Sequence, residues 1–134
     1  MTSREIHQAV LDYVAPLMLK QGKPSMDGNS HCKYRSGTHN EPLCCAVGFL
    51  IEDDRYTPSM EDKSPTIVGQ MAPTSNRIWQ KAFSTEMGFL CDLQDCHDTA
   101  AVECALNPTL NFNLEFLRLA KHLAKSYNLK WSYP

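Results

Sequence analysis

Apolar positions recur with helical spacing at both ends of the chain and lose that rhythm in the middle. Over residues 2–20, Ile6, Val10, Tyr13, Val14 and Leu17 return at intervals that place them on one helical face. Thr2 and Glu5 have capping-box spacing, and Gly22 is a natural stop. Pro16 is expected to kink this helix or end it a turn early. Residues 112–127 form the clearest second helix, with Phe116, Ala120, Leu123 and Tyr127 on one face beside Leu117 and Ala124. Asn111 or Asn113 suits its N-cap, and Asn128 suits the left-handed position beyond its end. Residues 85–98 read as a third helix, with Phe89, Leu93 and Cys96 in line and Leu90 and His97 flanking them.

Between these helices the pattern breaks. Residues 21–31 are polar, with two glycines and a proline, and read as a loop. His31–Arg35 and Leu43–Cys45 read as short strands joined through the turn-rich tip SGTHNEP. The run AVGFLI is too short for periodicity to separate helix from strand, and a short helix ending near Glu52 is expected. Three prolines between residues 53 and 76 predict irregular chain, with one short helix over Pro65–Gln70 capped by Ser64. Residues 77–83 add a further helical turn. The expected fold is α+β: one helix-rich domain spanning residues 1–134, with a small antiparallel hairpin or three-stranded sheet near residues 31–45.

Composition narrows the function classes. The chain has 134 residues, 43% of them apolar and 21% charged, enough to bury a core without staples. A net charge of −2 lacks the basic excess of a nucleic-acid-coating protein. No run approaches the length of a membrane span. The first twenty residues carry charges where a secretory signal has its apolar core. A cytoplasmic setting is therefore expected, in which six cysteines are not presumed to pair.

Several groups carry chemistry. Zinc would need four Cys or His ligands, and the available set centres on Cys32, Cys45 and His97. Cys44 and Cys45 adjoin, no C-x-x-C pair exists, and the bland alternative is a cysteine pair packed under a hairpin. Cys45 precedes an expected helix start, where the helix dipole favours thiolate, and His97–Asp98 would supply a base and its orienting carboxylate. The structural alternative makes His97 a helix C-terminal histidine and Asp98 a solvated charge. Six scattered glycines form no phosphate loop, and no cofactor motif is present. Lys33, Arg35, Arg55, Lys63 and Arg77 would clamp a phosphate only if the fold gathered them. Trp79 and Trp131 are aromatic residues of the kind enriched at binding hot spots, and the terminal Trp131-Ser-Tyr-Pro is expected to dock on the domain body, with a partner protomer as the alternative.

The segments LKQGKPS, CKYRSG, CAVGFLIEDDRYTPSMED and FLCDLQDCHD, in that order over roughly residues 17–98, resemble a family of small, largely uncharacterised bacteriophage and prophage proteins. Cys32, Tyr34, Arg35, Cys45, Gly48, Asp53, Tyr56, Glu61, Gln94, His97 and Asp98 occupy positions of that pattern. The chain departs from it at Glu52 and Asp62 and in the longer tip SGTHNEPLC. The resemblance implies a counter-defence or host-takeover inhibitor that binds a host protein or a nucleotide signal stoichiometrically in the host cytoplasm. Tyr34, Arg35, Asp53, Tyr56 and Gln94 are then the binding candidates. A thiol enzyme using Cys45 with His97, and a small zinc-stabilised module, are the alternatives. A homodimer is the default assembly. The same polar residues also suit a buried network in which Arg35 meets Asp98 or Glu61 and Gln94 or His97 joins.

Overall fold

A computed structural model of the chain describes residues 1–29 and 31–134. Ser30, within the expected loop 21–31, lies outside the described residues. Five α-helices surround one core: α1 (Ser3–Gln21), α2 (Pro65–Gln70), α3 (Arg77–Thr85), α4 (Met87–Leu106) and α5 (Phe112–Ser126). A two-stranded antiparallel hairpin, β1 (Arg35–Gly37) and β2 (Pro42–Cys44), pairs Arg35 with Cys44 and Gly37 with Pro42. The fold is helix-rich α+β, as expected, and the sheet has two strands rather than three among the described residues.

α1 begins with a complete capping box. The Glu5 N–H donates to Thr2 Oγ1, and the Thr2 N–H donates to Glu5 Oε1 at 2.9 Å. Pro16 does not end the helix, which runs on to Gln21. The proline is exposed, so the Asp12 carbonyl that loses its partner faces water and the cost of the missing bond is small. Gly22 closes α1 in the left-handed conformation, φ 72°, with its N–H on the Met18 carbonyl. Ser64, Asn76 and Asn111 cap α2, α3 and α5 through side-chain oxygens.

α4 is the central helix, packed against α2, α3 and α5. Its buried residues, including Phe89, Leu90, Leu93, Gln94, Cys96, His97 and Ala100, form one broad face, while Asp92, Asp95, Thr99 and Val102 on the other side are exposed. It extends eight residues beyond the expected end at 98, since TAAVECAL continues the helix until Asn107-Pro108 breaks it. His97 therefore lies within the helix and is fully buried, not at its C-terminus. Ile6, Val10, Leu11, Val14 and Met18 of α1 and Phe116 and Ala120 of α5 complete the core. Each such large side chain contributes about 1.5–3 kcal/mol by leaving water.

His7 pins α1 to the start of α4. Its ring stacks on Phe89 at 4.4 Å, and its Nε2 lies 2.7 Å from Glu86 Oε1. The C-terminal tail returns across α1. Gln8 accepts from the Lys130 N–H and donates to the Lys130 carbonyl, and Trp131 and Tyr133 pack against the core, as expected for this tail. Among the described residues, no helix is long and apolar enough to cross a membrane.

Candidate functional site

The hairpin and the irregular chain around it are held by two side chains, one that accepts a single backbone N–H and one that accepts three donors. The first is His97 on α4. Its Nε2 accepts from the Ser25 backbone N–H at 2.9 Å, which puts the ring proton on Nδ1. Nδ1–H then donates to Asp98 Oδ1 at 2.8 Å. Gln94, one turn earlier, donates to the same Asp98 oxygen and accepts from the Val47 N–H at 2.9 Å. One helix face thus holds the chain before the hairpin at Ser25 and the chain after it at Val47. Asp98 is the acceptor that orients both side chains and is not the solvated charge that the structural alternative expected.

The second is Glu61. Oε1 accepts from the Tyr34 N–H at 2.9 Å, and Oε2 accepts from the Arg35 N–H at 3.1 Å and the Tyr56 hydroxyl at 2.7 Å. The Tyr34 hydroxyl donates to the Lys63 carbonyl at 2.6 Å. Arg35 then points away from this carboxylate. Its guanidinium donates to Asp53 Oδ1 and to the Ile51 carbonyl, both at 2.6 Å, and lies over the Tyr56 ring at 5.2 Å. Arg35 pairs neither with Asp98 nor, through its side chain, with Glu61, so the single network expected from the sequence is two networks. Burial and the neighbouring Glu61 push the Tyr56 phenol up.

The two networks touch the same backbone between them. AVGFLI forms a 3-10 helix over Val47–Leu50, and the Tyr34 carbonyl accepts from the Cys45 N–H at 3.2 Å. A Cβ on Gly48 would fall 2.2 Å from that carbonyl oxygen, so only glycine permits the approach.

Cys45 lies under this turn and is fully buried. Burial pushes its thiol well up, and its Sγ accepts from the Gly48 N–H at 3.3 Å. The helix after it has four residues, too few to build a dipole that favours thiolate, and both His97 nitrogens are already engaged. The thiol–base pair expected from Cys45 and His97 is not assembled. The metal set differs as well: Cys32, His97 and Asp98 bring one ligand atom each within 4.8 Å of one another, and Cys45 is outside that group. Burial and Asp98 push the Cys32 thiol up to about 12. A metal on His97 Nδ1 would shift the ring proton to Nε2, directly against the Ser25 N–H. The cluster fits a closed hydrogen-bonded relay better than an open ligand set.

Four of the five candidate binding residues divide between two cavities, and Tyr56 lines neither. One, of about 250 Å³, is lined by Tyr34 and Gln94 together with Glu61, Asp62, Asp95 and Asp98. Lys33 and Lys63 also line it, so carboxylates outnumber cations. The Asp95 carboxyl is raised by burial, then by Asp98 and Asp92. The other, of about 560 Å³, holds Arg35 and Asp53 beside Tyr13, Leu17, Phe49 and Trp79. Tyr13 and Trp79 meet at 5.1 Å across it. The Arg35 Nε is buried there without a hydrogen-bond partner. The basic residues named from the sequence are not gathered into one clamp: Lys33 and Lys63 sit at the first cavity, Arg35 at the second, and Arg55 pairs with Glu52.

Sequence reasoning passed over two parts of this arrangement. Ser25 contributes only its backbone, which residue type does not signal. Tyr13 was assigned to the buried face of α1, yet it is 43% exposed and forms a cleft wall. Compared with known proteins, the chain matches no family model, no curated protein and no solved structure at a significant level.

Proposed function

We propose that the protein is a phage-type accessory factor, a counter-defence or host-takeover inhibitor, that acts by stoichiometric binding of a host protein. The observation that carries this reading is the cleft of Tyr13, Phe49, Trp79 and Arg35, a concave gathering of the residue types that dominate binding hot spots. Its rim is acidic, with Glu52, Asp53 and Asp54 around one arginine that is already paired. That charge favours a partner segment carrying an apolar anchor flanked by basic side chains. It disfavours a nucleotide at this cleft. The polar motif residues elsewhere are consumed in internal bonds, and the buried Cys45 thiol weighs against thiol chemistry.

The test is affinity capture from host lysate with the wild-type chain and with Tyr13→Ala and Asp54→Lys. Both side chains are exposed, so the variants keep the fold, which a thermal melt checks. The reading expects one partner, recovered in a fixed ratio by native mass spectrometry, whose capture falls in both variants. Equal capture by all three chains, or no partner at all, overturns it.

A further inference from the structure

A third cavity, of about 470 Å³, lies between α5 and the returning tail. Its wall on α5 is Arg118, Lys121, His122 and Lys125, which fall on one helical face. Its other wall is Leu129 and Trp131. The tail is fixed where it forms that wall: the Leu129 N–H donates to the Ala124 carbonyl at 2.8 Å, and Gln8 holds both backbone groups of Lys130.

The charge here is the reverse of the other two cavities. No carboxylate lines the groove. Glu103 and Glu115 neutralise Arg118, but Lys121, His122 and Lys125 have no ion-pair partner among the described residues. The Trp131 indole N–H is buried and has no acceptor among the described residues. Unpaired ammonium groups and an indole ring therefore meet in a groove of small-ligand size. Solvated lysines at a helix C-terminus would account for the charge alone. They would not account for the tail pinned opposite them with an indole ring in its wall.

The geometry points to this groove as a binding site for a phosphate-bearing ligand with a planar ring, of nucleotide class. Lys121 and Lys125 hold the phosphates, and the ring packs against Trp131 and Leu129. Lysine binds phosphate as a point charge, and aromatic side chains accept any base on their faces. The groove is too small for a duplex, which keeps the assignment to a small nucleotide.

Calorimetry with ATP on the full chain tests this. One ATP per chain is expected, and Lys121→Gln with Lys125→Gln should weaken binding by about tenfold or more through loss of charge. Trp131→Leu should weaken it by about tenfold through loss of stacking. Tripolyphosphate and adenosine should each bind less tightly than ATP. Three results overturn the assignment: no binding of ATP at millimolar concentration, ATP affinity unchanged in the double lysine variant, or tripolyphosphate binding as tightly as ATP. Tighter binding of a single-stranded oligonucleotide than of ATP overturns the small-nucleotide class. The lysines are exposed, so their variants remain folded even if Trp131→Leu loosens the tail. Partner capture and ATP binding are read in separate assays, so either reading fails alone.

Discussion

His97 and Glu61 do the same work in different surroundings. Each accepts backbone N–H groups from the chain at and around the hairpin, one at His97 and two at Glu61. His97 does so from a central helix, fully buried, with its ring orientation set by Asp98. Glu61 does so from a loop, half-buried, with a carboxylate that takes three donors at once. The contrast concerns access to water. A bond broken at His97 stays broken, whereas water can replace part of what Glu61 supplies.

The largest effect is therefore expected at the helix. His97→Leu leaves the Ser25 N–H without an acceptor, at a position where both residues are fully buried, and Asp98 without its imidazole donor. A loss of about 3 kcal/mol is expected, read as a lowered urea midpoint with an unchanged slope. A loss below about 1 kcal/mol would mean that water reaches Ser25 and that the two locks are alike. Glu61→Gln comes next. The amide keeps one acceptor oxygen but turns an NH2 toward either Tyr34 or the Arg35–Tyr56 pair. A loss of about 1.5 kcal/mol is expected, with faster hydrogen exchange at the Tyr34 and Arg35 amides. Cys45 gives a chemical version of the same contrast. Its buried, raised thiol should be the slowest of the six to alkylate in the native chain, well behind the half-exposed Cys104. Fast alkylation of Cys45 would reopen the thiol reading.

The difference between the locks also separates what could be read in the sequence from what could not. Helical spacing placed Phe89, Leu93, Cys96 and His97 on neighbouring faces, and all four are buried. It misjudged where α4 ends, because a histidine before an aspartate reads as a helix terminus when its partner is unknown. That partner is a backbone N–H in a loop, and loops leave no periodic trace. Ser64 and the Asn caps were legible because capping is a local bond over three residues. Pro16 was misleading, since the cost of a proline depends on whether its orphaned carbonyl meets water. The motif residues do enter hydrogen-bonded networks, but with other partners than the expected ones. Arg35 pairs directly with Cys44 across the hairpin, and only the folded turn aims its guanidinium at Asp53 and not at Asp98. Lys121 and Lys125 carry no motif, and the tail that faces them is held by Gln8, 122 positions earlier in the chain than Lys130.

Asp53 is expected to show the smallest effect on stability, and for that reason it sharpens the comparison most. It closes the Arg35 guanidinium from the solvent side while remaining 97% exposed. An exposed pair of this kind contributes roughly 0–1 kcal/mol, and water screens most of it. Arg35 would still hold the Ile51 carbonyl and the Tyr56 ring. Asp53→Ala should therefore melt with the wild type, unlike His97→Leu and Glu61→Gln. It removes, however, one of three carboxylates from the cleft rim and uncovers a guanidinium beside the already unpaired Nε. Affinity for a basic partner segment should fall, with the loss appearing mainly in the association rate and fading as salt is raised. A destabilised Asp53→Ala chain would place Asp53 among the lock residues. A stable chain with unchanged partner binding would remove it from the binding surface as well.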